Sequence, residues 1–98
     1  NGGISKTMSM ISLAEAFGIR CVLGHGFDLT ISALAELHVA AASKNILYPC
    51  EMVGPLKMAD DVVTERLIIE NGFIQVPQKA GLGTSIDEGK LSKYKVGV

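Results

Sequence analysis

The stretch that most constrains this 98-residue chain is 19–27, Ile-Arg-Cys-Val-Leu-Gly-His-Gly-Phe, an apolar run that ends in a histidine between two glycines. Residues 20–23 read as a strand with both faces covered, because a short apolar run bounded by glycine fits that environment. His25 then sits at the strand's carboxyl end, the end at which the loops of parallel α/β folds build their ligand crevices. Gly24 and Gly26 are expected to let the backbone turn sharply and approach a ligand closely, with no Cβ in the way. The competing reading of His25 is a loop histidine on a tight turn.

Helices flank that strand on both sides in the sequence. Over 5–17, Met10, Leu13, Ala14 and Phe17 recur at helical spacing and Met8 and Ile11 widen the stripe, with Ser5 as N-cap and Gly18 as the residue past the end. Over 29–42, Ile31, Leu34, Ala35 and His38 share a face, which predicts a hydrogen-bonded core histidine at 38 in preference to a metal ligand. A second apolar segment, 46–50, then ends at Glu51. The plan is helix, strand with His25, helix, strand with Glu51, an α/β alternation that implies a parallel sheet. If the two strands are neighbours, an imidazole and a carboxylate face one crevice and can serve as acid, base or hydrogen-bond donor. For Glu51 the alternative is an exposed loop carboxylate.

Beyond Glu51 the signals are those of turns and a hairpin. Gly54-Pro55 breaks the chain, 58–65 reads as a short helix or an irregular turn, and Asp60 and Asp61 read as solvated or capping charges. Two β-prone runs, 67–70 and 73–76, are joined by Asn71-Gly72, the dipeptide that type I′ turns demand. Gly81-Leu82-Gly83 lacks the spacing of a phosphate cradle and reads as a turn. Asp87 caps a last helix over 88–94, anchored by Leu91.

Composition narrows the class further. With 48% hydrophobic residues and a mean hydropathy of +0.35, the chain is rich for its length, as expected of a piece of a larger core. The opening Asn1-Gly2-Gly3 turn signature agrees with that expectation. A net charge of −1 and no basic run disfavour nucleic acid and acidic membrane surfaces. No apolar stretch reaches the ~18 residues of a membrane span. Cys21 and Cys50 are too few and too far apart for a disulfide framework or a zinc site, which predicts reduced, buried thiols in a cytoplasmic protein.

Several short motifs then line up in order: Asn1-Gly2-Gly3, Ala14-Glu15-Ala16-Phe17-Gly18-Ile19, His38-Val39-Ala40-Ala41-Ala42, Glu51-Met52-Val53-Gly54-Pro55-Leu56, Asn71-Gly72, Val76-Pro77 and Gly81-Leu82-Gly83 with Asp87-Glu88. Together they resemble the carboxyl-terminal third of the mandelate racemase and muconate lactonising branch of the enolase superfamily, over essentially the whole chain. The resemblance implies an α/β fold, the C-terminal part of a (β/α)₇β TIM-type barrel, with helices six and seven, strands seven and eight and a terminal β-hairpin. It divides the chain into barrel units over 1–66 and, over 67–98, a hairpin and tail that pack toward a capping domain.

The chemistry it implies is removal of a proton α to a carboxylate, with the enediolate held by Mg²⁺ whose ligands lie on strands outside this segment. Carried over by position, Glu51 faces the substrate carboxylate or enediolate and donates a hydrogen bond to developing charge. His25 lies where the racemase and dehydratase branch places its base, and Gly24 and Gly26 line the substrate. The match around Glu51 favours a cycloisomerase or epimerase, and His25 favours a racemase or an acid-sugar dehydratase. Gly26-Phe27-Asp28 departs from the family's glutamate-containing loop, which leaves substrate class open. The partners implied are a small carboxylate substrate, the remaining barrel and capping domain, and further copies in a homo-oligomer. The competing expectation is a non-catalytic segment that only self-associates through its bare sheet edge, and by either route the isolated segment is expected to be inactive.

Overall fold

In the computed structural model, which describes residues 2–24, 26–47 and 49–97, the α/β alternation is present. Helix α1 (Ile4–Ala16) leads to strand β1 (Cys21–Val22), helix α2 (Thr30–Ala42) and strand β2 (Ile46–Leu47). The strands pair in parallel, Cys21 opposite Ile46 and Val22 opposite Leu47. Both are shorter than the apolar runs that predict them, because the pairing cannot continue through Pro49, which has no N–H.

Helix α1 starts one residue earlier than expected, behind Gly3, and no side chain caps it. Ser5 is therefore inside the helix. The hydroxyls of Thr7, Ser9 and Ser12 donate to carbonyls four residues back, the usual outlet for such side chains within a helix. Its far end closes as predicted, with the amides of Gly18 and Ile19 folding back on the carbonyls of Glu15 and Ala14. The buried contact is Ile11, supported by Met8, whereas Met10, Leu13 and Phe17 are exposed, Phe17 to 74%. The side of the stripe that carries Met8 and Ile11 thus meets the core, and the side that carries Leu13 and Phe17 stands exposed.

Helix α2 is the centre of packing. Val39 joins Ile11 and Ile46 in one cluster, and Ala33, Leu34 and Leu37 join Met52 in another, against which Leu23, Leu67, Ile74, Val76 and Leu82 pack. Two buried faces explain why no single stripe described this helix. His38 is half-buried and its Nε2 lies 3.2 Å from the Leu82 carbonyl oxygen, a hydrogen-bonded histidine as expected. At the opposite end of the sheet the buried Asn45 amide donates to the Ile19 carbonyl at 2.9 Å and to the Ile11 carbonyl at 3.4 Å, tying α1 to β2. Cys21 and Cys50 are free and half-buried.

Gly54-Pro55 opens a one-turn helix, α3 (Gly54–Lys57), where a break was expected. Proline suits the first helical turn, whose amides have no intrahelical acceptor. The 58–65 segment is irregular, bridged at Val63 to Ile86. Strands β3 (Ile69–Glu70) and β4 (Phe73–Ile74) form the predicted antiparallel hairpin, and Asn71 and Gly72 both take the positive φ of a type I′ turn. Asp87 caps helix α4 (Glu88–Tyr94) by accepting from the Lys90 amide. Leu91 is exposed, so it is not the anchor. Asp60 is: it accepts from Lys90 Nζ at 2.9 Å and from the Tyr94 hydroxyl at 2.7 Å, and these bonds hold its carboxyl well below the usual carboxylate range. Asp60 is therefore paired, where solvation was one expectation.

Asp61, its neighbour, is 1% exposed. Its Oδ2 accepts from the amide of Thr30, the first residue of α2, at 3.0 Å, so a residue 31 positions away caps a helix that no local side chain caps. Asp61→Ala leaves a buried amide unpaired and is expected to cost roughly 1–3 kcal/mol. Asp61→Asn keeps an acceptor and is expected to cost less. Chemical denaturation checks this, as a lowered midpoint at unchanged slope for alanine and a smaller shift for asparagine.

Candidate functional site

In regular parallel pairing the carbonyl of Leu23 would accept from the amide of residue 49. Residue 49 is proline and has no N–H. The Leu23 carbonyl instead accepts from the amide of Glu51, at 3.0 Å. Regular pairing therefore ends at Leu47, and the chain makes its next contact with β1 two residues late, at the candidate acid itself. Glu51 is fastened by its backbone beside the end of β1. A proline two positions before a strand-end glutamate was the available signal for this irregularity.

On either side of Glu51, Cys50 and Met52 pack into the two clusters around α2, whereas Glu51 itself is exposed. In the paired strands Val22 and Leu47 are exposed, Val22 to 66%. The sheet therefore has one face under helices and one bare face. Among the described residues Glu51 is exposed, as its alternative reading also expected.

His25 lies outside the described residues. Its flanking glycines are exposed. A Cβ added at Gly24 would meet nothing within 4 Å, and one at Gly26 would make only ordinary contact with the Asp28 carboxylate, at 3.6 Å. What the two glycines leave is open space beside the strand end. No three His, Cys, Asp or Glu side chains among the described residues are grouped to hold a metal ion, so the described residues do not by themselves fit the Mg²⁺ that the resemblance implies. A groove of about 510 Å³ runs between α1, β1 and α2, lined by Met10, Ala14, Val22 and Ala35 among others, and Glu51 is not part of it.

Sequence reasoning passed over Arg66. Its guanidinium donates to the carbonyls of Pro55 and Met58, each at 2.9 Å, bracing the turn that follows Glu51. A lone arginine in an irregular stretch carries no periodic signal that would have singled it out.

With this geometry in place, comparison with known proteins gives concordant results. The family model for enolase C-terminal domain-like proteins matches residues 1–90. A chloromuconate cycloisomerase of Cupriavidus necator is 34% identical over 95% of this chain and 25% of its own length. An N-succinyl-L-Arg/Lys racemase of Bacillus cereus is 35% identical over 97% of this chain and 25% of its own. The crystal structure of a muconate lactonizing enzyme from Klebsiella pneumoniae superposes with a TM-score of 0.92 at 32% identity, covering 98% of this chain and 27% of that one. The chain spans about a quarter of the length of the curated relatives it matches.

Proposed function

This chain belongs to the enolase C-terminal domain-like family, and on that premise we propose that it is the carboxyl-terminal barrel portion of an isomerase that removes a proton α to a substrate carboxylate. In this reading β1 and β2 are the last two strands of a (β/α)₇β barrel. Their bare face looks into the barrel, and the exposed side of α1 packs on units outside this chain. The hairpin and tail over 67–98 turn toward a capping domain. The partners are a small carboxylate substrate and the remaining barrel and capping domain. Mg²⁺ belongs to those remaining parts.

The single observation that carries the reading is the bond from the Glu51 amide to the Leu23 carbonyl, 3.0 Å long, with Cys50 and Met52 turned under the helices on either side. It holds the backbone of Glu51 beside the strand end that leads to His25, and in this reading the exposed carboxyl group reaches the rim of the bare face. As proton abstraction moves negative charge onto the substrate carboxyl oxygens, a fixed acid at that rim donates a hydrogen bond to the charge as it develops. Such a donor lowers the barrier because it is already oriented when the charge appears. His25, two residues beyond Leu23, is the proposed base, and Gly24 and Gly26 leave room for the substrate between the two groups.

Solvent exchange tests this reading without knowing the substrate. The intact protein, supplied with Mg²⁺ in D₂O, is incubated with carboxylic acids that bear an α-hydrogen, N-acylated amino acids and sugar acids among them. Deuterium incorporation at the α-carbon of at least one acid is the expected result. A folded protein that exchanges none of them overturns it.

A further inference from the structure

The two loops that follow β1 and β2 are held by one and the same segment, 58–67. On the β1 side, the Asp61 carboxyl accepts from the amide of Thr30, where α2 begins, and the Thr30 hydroxyl accepts in turn from the amide of Leu67 at 3.4 Å. On the β2 side, Arg66 donates to the carbonyls of Pro55 and Met58, which bracket the second half of α3. Thr30, Asp61 and Pro55 are buried. Since α3 begins three residues after Glu51, the span from Glu51 to Met58 is fixed at both ends, by Leu23 at one and by Arg66 at the other.

From this arrangement we infer that segment 58–67 is a clasp that sets the spacing between the two strand-end loops, and that Arg66 is a positioning residue acting through Glu51. The inference rests on the proposed role of Glu51. Both bonds leave the one Nη2 nitrogen, whose two N–H groups are held in the guanidinium plane and so aim in fixed directions, whereas an ammonium on a flexible stem turns freely. Displacing a reacting group by about 1 Å can cost on the order of 10²-fold in rate, so a residue that only braces a turn can still govern turnover.

Two measurements on the intact protein test the clasp. The first is hydrogen exchange at the Glu51 amide, which is independent of any activity. Arg66→Met is expected to speed exchange there by about tenfold, with Arg66→Lys in between, while the amides of α1 keep their protection. Unchanged exchange at Glu51 in Arg66→Met overturns the clasp. The second is a double-mutant cycle on the acid that shows α-deuterium exchange. Arg66→Met is expected to lower kcat by about tenfold in the parent and less than about twofold when Glu51 is already glutamine, with KM little changed. Equal losses in both backgrounds overturn positioning through Glu51. A Glu51→Gln protein with undiminished turnover sinks the functional reading, and the exchange measurement still decides the clasp.

Discussion

Replacing Glu51 by glutamine is expected to lower kcat of the intact protein by about 10²-fold, the lower end of the range found when a fixed donor to a developing oxyanion is removed outright, because a weaker donor takes its place. The unfolding midpoint should stay where it is. The bond that holds this position in the fold is from the backbone amide to Leu23, and glutamine keeps it. The side chain itself is exposed, so its replacement by an isosteric amide leaves neither a cavity nor a stranded polar group. Glutamine also keeps a hydrogen-bond donor. What it lacks is the acidic proton, whose bond to an oxyanion strengthens as charge builds. The loss should therefore fall on kcat more than on KM, because the ground-state carboxylate is recognised almost as well as before. Steady-state kinetics with thermal unfolding on the same preparations check both halves. Parental kcat in the glutamine variant would remove Glu51 from the site.

The sequence carried the elements of this site more clearly than their joinery. Alternation of 3.6-residue and strand-like patterns was enough to place β1 beside β2 in parallel, because a buried strand between two amphipathic helices has few other ways to cover its faces. Asn71-Gly72 and Asp87 were readable for the same reason, each being a local solution to a local backbone demand. The misreadings were non-local. Leu13 and Phe17 belong to a good helical stripe, yet in this chain they stand exposed while Ile11 meets the core, because spacing says that a face is apolar and not which surface meets it. Leu91 looked like the anchor of α4, but the attachment is polar and runs through Asp60, 30 positions before Lys90. Pro49 was visible throughout, and what it does to Glu51 emerges only once Leu23 is known to lie across from it. Arg66 and Asp61 share that character, since their partners are carbonyls and amides, which every residue possesses.

Gly83→Ala is expected to be the most damaging small substitution in the chain, costing roughly 2–5 kcal/mol from about 1–2 for the left-handed backbone and 1–3 for overpacking. Gly83 is buried with φ at +89°, and a Cβ built there would stand 2.2 Å from Cβ of Pro77 and 2.9 Å from its Cγ. Neither neighbour can give way cheaply, since the proline ring is stiff and Val76 before it packs against the α2 cluster. The turn also has work on both sides. Leu82 presents its carbonyl to His38, and the Thr84 hydroxyl donates to the Glu65 carbonyl at 3.1 Å, so a shift at 83 loosens the hairpin's hold on α2. Gly81 supplies the control within the same turn: its φ is +66°, but an added Cβ meets nothing within 4 Å. Gly81→Ala should lose only the backbone share, about 1–2 kcal/mol. Urea unfolding of the two variants separates strain from collision, with the Gly83 variant expected to lie well below the Gly81 variant in midpoint. Equal midpoints would mean that Pro77 yields, and that the close approach of the turn to the hairpin is not what holds this end of the chain against α2.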